Sequence, residues 1–305
     1  MKRCAEAAAA LAGLLAALAS SPAPAASPRY CDTPKTLSAA QHDSLLRFGA
    51  VIKAELEKTG HHVALLARSG LELGRFDQRY SHAGVGLKAG AEGTWAVRQL
   101  YYACEEGQPR LFDQGLPAFV LGGDEPDLGY VSVLLLPPEP AAQLAATARD
   151  RRQALQLLSP SYSANAFPFS TLHQNCNQWL AELLAFAWGG LQADEPAAAR
   201  ALAQRWLQTR GYVPTVFDVG WRVMMWFSEL IPWIHSEDHP TEDWALQRYR
   251  VSMPASIDNF VRAAVPGTER LEFCHTPQHV VVHRGWLPIA DGCQPGPGDT
   301  VVKLQ

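Results

Sequence analysis

The sequence predicts an α+β domain, in which an antiparallel sheet packs against a helix that starts at a cysteine and a helical insertion follows. Three observations lead there. Runs rich in β-branched and aromatic residues recur between turn signals in the first half of the chain. An alanine-rich run and then a second amphipathic run follow at helical spacing. A loop of turn formers joins these two and ends on His173-Gln174-Asn175-Cys176-Asn177-Gln178-Trp179.

The first residues predict the compartment. Lys2 and Arg3 precede an apolar run over 7–19 and then Ser20-Ser21-Pro22-Ala23-Pro24-Ala25, the pattern of a secretory signal peptide cleaved near Ala25. Residues 1–25 are therefore read as a signal peptide, and the mature chain as periplasmic or secreted. The apolar run is too short for a membrane span. A formal net charge of −4 gives no reason to expect nucleic acid as a partner. Residues 26–305 are read as one domain, with a core at about 60–190, a helical insertion at about 191–250 and C-terminal strands over 251–305.

Six cysteines are present, and Cys4 leaves with the signal peptide. Five then remain in an oxidising compartment, so two disulfides would leave one thiol free. If that thiol is Cys176, Cys274 with Cys293 and Cys31 with Cys104 is the natural pairing. The spacing does not by itself choose among the connectivities.

In chain order, Ser38 caps a helix whose apolar positions run from Leu45 to Leu56, and Thr59-Gly60 stops it. Residues 62–68 read as a buried strand and 79–87 as a second. In the second, His82, Gly84 and Gly86 share a face, and the glycines imply close backbone approach. Strands follow at 95–104 and 129–136, while 111–120 reads as either a strand or a short helix. One helix is expected over 140–158, with Arg149, Arg151 and Arg152 on a solvated face. After the loop, a helix over 176–188 starts with Asn175 as cap and stops at Gly189-Gly190. Residues 196–210 form another helix. The aromatic run at 216–234 reads as core or an internal interface. A short helix at 256–265 and strands at 280–283 and 299–304 complete the chain.

The start of a helix is where a thiol loses its proton more easily, because the helix dipole and unpaired N–H groups favour the anion. Cys176 is thus a candidate nucleophile, and the structural alternative is a small buried residue. His82, with glycine space beside it, is the candidate base, and His173 is a second candidate. His235-Ser236-Glu237-Asp238-His239 offers ligand types without a second cluster, and His279 with His283 reads as solvent-facing. No metal and no cofactor are predicted. Phosphate-cradling glycine loops and serine-centred elbows are absent.

The order of motifs, with Ser81-His82-Ala83-Gly84-Val85 before the cysteine helix, resembles the circularly permuted branch of the NlpC-like, papain-fold cysteine hydrolases. In place of that superfamily's usual Asp-Cys-Ser, this chain has Asn175-Cys176-Asn177. The loop from Tyr162 to Cys176 also resembles its tyrosine-containing approach to the nucleophile. The chain over 30–305 resembles an uncharacterised family of exported proteobacterial proteins, domain of unknown function 2145. The resemblance lies in Tyr80-Ser81-His82-Ala83-Gly84, Trp95-Ala96-Val97-Arg98, Asp113-Gln114-Gly115 and Asn175-Cys176-Asn177-Gln178-Trp179.

The superfamily resemblance implies a papain-like core and an acyl-transfer enzyme. Cys176 would attack a carbonyl and His82 would handle the proton, with Gln99 orienting His82. The Cys176 N–H and the Tyr162 hydroxyl would serve the oxyanion. The expected substrate is an amide or ester of the cell envelope, a peptidoglycan peptide or a lipid. The alternative is a non-catalytic periplasmic binding or structural module.

Overall fold

The computed structural model describes residues 36–304 except 91–92, 105, 124, 221–224 and 226–230. The predicted signal peptide, Cys4 and Cys31 lie outside the described residues. Thr36–Gln305 forms one compact unit.

Ten strands are described. In chain order they are β1 (Val63–Arg68), β2 (His82–Lys88), β3 (Trp95–Ala103), β4 (Gln108–Gly115), β5 (Gly129–Leu135), β6 (Thr215–Asp218), β7 (Arg248–Val251), β8 (Glu269–His275), β9 (His279–Arg284) and β10 (Thr300–Lys303). Eight of them build one sheet in the order β10-β9-β8-β5-β1-β2-β3-β4, while β6 and β7 pair separately. Every pairing is antiparallel. The C-terminal strands therefore extend the main sheet, because β8 hydrogen-bonds to β5.

The eight described α-helices are α1 (Ala39–Thr59), α2 (Leu116–Leu121), α3 (Pro138–Arg149), α4 (Arg151–Gln156), α5 (Cys176–Gly189), α6 (Pro196–Thr209), α7 (Thr241–Ala245) and α8 (Pro254–Ala264). They cover both faces of the sheet. On one face Leu65, Ala67, Ala83, Val85 and Leu134 pack with Trp179, Leu183 and Leu184 of α5 and with residues of α3, α6 and α8. On the other face Ala64, Leu66, Val97 and Val133 pack with Phe48 and Ile52 of α1 and Phe119 of α2. Strand β1 is buried along its whole length because it lies between these layers.

Local signals read from the sequence hold at several places. Ser38 and Gln41 form a capping box at the start of α1, and Gly60 closes that helix at φ 71°. Gly86 admits Leu66: an added Cβ there would stand 2.3 Å from its Cδ1. The ambiguous 111–120 stretch divides into the end of β4 and all of α2, with Pro117 in the first turn of α2.

Three expectations are corrected. The helix expected over 140–158 is two, α3 and α4, because Asp150 leaves helical geometry at ψ 103° and caps α4 through the N–H groups of Arg152 and Gln153. The 191–250 segment is not wholly helical, since β6 and β7 pair within it. The strand expected over 79–87 begins only at His82, because Arg79 and Tyr80 leave the ladder for Glu272. Within the 216–234 aromatic run, 221–224 and 226–230 lie outside the described residues, while Met225 packs with Tyr249, Val251 and Met253.

Cys274 and Cys293 form a disulfide, and Cys176 is free. Cys104 is also disulfide-bonded, while its expected partner Cys31 lies outside the described residues. Among the described residues no helix is long and apolar enough to cross a membrane.

Candidate active site

Cys176 opens helix α5, and the chain before it is held by buried polar contacts. The Asn175 side chain accepts from the Gln178 N–H at 2.7 Å, and its amide donates to the carbonyls of Ala164 and Ser252. Gln174 donates to Leu157 O and to Glu182, and its own oxygen accepts from the Ser159 N–H. Glu182, fully buried, also pairs with Arg200 at 2.9 Å. Arg200 donates in turn to the carbonyls of Thr171, Ser170 and His173. A buried ion pair inside α5 and α6 thus fixes the loop that delivers the cysteine.

The thiol is 7% exposed. Burial pushes its pKa up from 9.0 to about 11, against the N–H of Asn177, the charge of Arg68, its own N–H and the N–H of Ala83, all of which favour the anion. The sulfur therefore lies beside the peptide that joins His82 to Ala83. Asn177 ties the helix to the residue just before that strand by donating to Ser81 O at 3.1 Å.

His82 heads β2 and is 8% exposed. Its Nε2 lies 2.5 Å from Gln99 Oε1, and the Gln99 amide donates to Gln114 Oε1 at 2.6 Å. Gln99 and Gln114 come from neighbouring strands, β3 and β4, joined in register by Val97 with Gln114 and Gln99 with Phe112. The His82 ring packs against Tyr101 and against Phe119 of α2, with centroids 5.5 and 6.2 Å away. Burial, followed by the charge of Arg68, lowers its pKa from 6.5 to about 3, against the opposing effect of Gln99.

Alternation along β2 separates the two groups. Ala83 and Val85 face α5 with Cys176, whereas His82 turns towards the layer that holds Phe119. No hydrogen bond joins His82 to Cys176. At neutral pH this resting arrangement holds a neutral thiol and a neutral imidazole.

The remaining site residues fall nearby or elsewhere. Tyr162 stacks on Tyr102 of β3 at 5.1 Å and bridges to Gln174, two residues before the cysteine. Both ring nitrogens of His173 are engaged by other residues, Nδ1 with Ser161 Oγ and Nε2 with Glu237. His279 and His283 are held apart by separate partners, Thr276 and Asp299.

Arg68 was not foreseen. It is the register partner of His82, 6% exposed, and lies against the Phe119 ring. Among the described residues it has no ion pair, and its Nε lacks a hydrogen-bond partner. The signal for it is a lone charge ending an otherwise apolar strand, 63–68. Arg98 of β3 grips Asp113 through two hydrogen bonds and reaches Ala148 O, fastening β3 and β4 to α3.

Fold and site define an α+β protein with a broad antiparallel sheet, helices on both faces and a free, buried cysteine at a helix start. The chain belongs to the family described as uncharacterized protein conserved in bacteria, DUF2145, which matches residues 55–261. No curated protein and no solved structure matches it.

Proposed function

We propose that this protein is an exported cysteine hydrolase with a permuted NlpC-like, papain-type core. Cys176 is the nucleophile, His82 the base and Gln99 the group that orients the base. The substrate is an amide or ester of the cell envelope, such as a peptidoglycan peptide. One observation carries this reading. The one free cysteine among the described residues opens a capped helix, its sulfur is faced by backbone N–H groups, and the peptide beside it belongs to a histidine whose far nitrogen is bound to a glutamine. With Gln99 accepting from Nε2–H, Nδ1 is the ring's proton acceptor.

The reaction requires His82 Nδ1 to come within hydrogen-bond reach of the Cys176 sulfur. The thiol proton passes to His82 Nδ1, sulfur attacks the carbonyl carbon, and a C–S bond forms as the C–N or C–O bond breaks. His82 returns the proton to the leaving group. Water then attacks the thioester, releasing the acid and restoring the thiol. The N–H groups of Cys176 and Asn177 are the donors nearest the developing oxyanion.

A second reading, a non-catalytic binding module of the envelope, is favoured by one observation: Cys176 and His82 are both held neutral, with no hydrogen bond between them. Hydrolysis of peptidoglycan fragments and of lipid esters by the full chain, set beside Cys176→Ala and His82→Ala, separates the two. Turnover lost in both variants supports the hydrolase. Turnover that survives in Cys176→Ala, or none on either substrate class by the full chain, supports the binding module.

A further inference from the structure

We infer that His173, His235 and Glu237 form a binding site for one divalent metal ion of the zinc class, separate from the Cys176 site and independent of the hydrolase reading. The acidic loop at 235–239 offers ligand types without a second cluster of its own, and the fold supplies the missing partner from the loop before α5. One ligand atom from each of the three residues lies within 4.8 Å of the others.

Each residue is placed as a ligand needs to be. His173 is buried, and Ser161 Oγ holds its Nδ1 at 2.7 Å, so Nε2 points to the cluster, where it meets Glu237 Oε1 at 3.0 Å. A hydrogen bond on the far ring nitrogen is the usual way a metal-binding imidazole is fixed in tautomer and direction. His235 stacks on His173, with centroids 4.6 Å apart and planes 14° apart, and its ring makes no hydrogen bond to another described residue. Its backbone is anchored all the same: the His235 N–H donates to Ser163 Oγ at 2.9 Å and to Asn165 Oδ1 at 3.2 Å. Glu237 brings the charge and a side chain 57% exposed, which gives an ion a route in from solvent.

The chemistry of the set chooses the metal. Two imidazoles and one carboxylate suit zinc, and three protein ligands leave a fourth position for water. Ligand atoms around a tetrahedral zinc stand about 3.3 Å apart, given bonds of about 2.0–2.1 Å. His235 and Glu237 must therefore draw in by up to ~1.5 Å from the spread seen here, within reach of a ring rotation and an exposed side chain. A cation held here would take the place of the His173–Glu237 contact and draw His235 into the same set.

The test is zinc binding by the full chain after stripping with a chelator, with metal content measured by mass spectrometry and affinity by competition with a colorimetric chelator. One zinc per chain is expected, with His235→Ala and Glu237→Gln each weakening it at least tenfold and Cys176→Ala and His283→Ala leaving it unchanged. Cobalt in place of zinc should show a tetrahedral spectrum without a thiolate charge-transfer band. Retention of less than a stoichiometric amount, equal affinity in His235→Ala and Glu237→Gln, or loss in Cys176→Ala would each overturn the site. Glu237 is exposed and His235 half-buried, and a matching circular dichroism spectrum of each variant separates ligand loss from unfolding.

Discussion

The Nε2 of His82 and the Oε1 of Gln99 stand 2.5 Å apart, and Gln99 passes the chain of hydrogen bonds on to Gln114. The pair spans two strands, so the orientation of the imidazole is set by the register of β2, β3 and β4 rather than by its own neighbours in sequence. Gln99 is 1% exposed, so no water replaces it if it is lost.

Gln99→Leu is therefore expected to cost about 1–3 kcal/mol, the penalty for leaving a buried ring N–H without a partner. Urea unfolding of the two proteins measures it. A loss within a few tenths of a kcal/mol would mean that the ring turns to another partner.

His82 should stay neutral through the mildly acid range. Its folded pKa is about 3 against 6.5 for the ordinary side chain. As pH falls, the unfolded chain takes up the proton first, so stability present above about pH 6.5 is lost progressively towards pH 3. NMR of the ring should show no titration of His82 between pH 7.5 and 5. The fall in stability from pH 7 to 4 should be shallower in His82→Gln. A ring titrating near 6.5 would show that water reaches it.

The thiol gives the opposite window. Cys176 is raised from 9.0 to about 11, so its contribution is complete below pH 9 and fades as pH rises through about 11. Cys176→Ala should lose less stability than the parent between pH 9 and 10.5. Alkylation of native Cys176 by a small neutral reagent at pH 7.5 should run at least tenfold slower than that of the unfolded chain. Faster labelling would place the thiol in a more open, anion-stabilising setting than the resting one.

Arg200→Met leaves Glu182 as a charge buried without its cation. The expected cost is about 3–5 kcal/mol. Arg200 also holds the carbonyls of Ser170, Thr171 and His173, so the loop before Cys176 loosens with it. Labelling of Cys176 should speed up in this variant under conditions where it remains folded, and hydrogen exchange at 170–175 should rise. Unchanged exchange there would separate the ion pair from the loop.

Much of this was legible in the sequence where the cause is local. Ser38 and Gln41 close their capping box within one turn, Gly60 takes the left-handed conformation that stops α1, and Asn175 caps α5 as its residue type and position indicate. The pairing of Cys274 with Cys293 was one of the open connectivities, and the turn between β9 and β10 brought Cys293 back to β8. Less legible was the end of α3, because Asp150 acts as a cap inside a run whose alanines favour an unbroken helix.

By itself, then, the sequence determined the features with local causes: helix caps, glycine stops, the alternation of β2 and the cysteine at the start of α5. These depend on hydrogen bonds and periodicities spanning a few residues. Only the tertiary structure decided that β8 lies against β5, that His82 and Cys176 turn to different layers, that Arg68 stands beside both, and that His173 meets His235 and Glu237. Each of those is a contact between residues far apart in the chain. Strand order and the packing of helices on two faces of one sheet settle such contacts, and residue spacing carries no record of either.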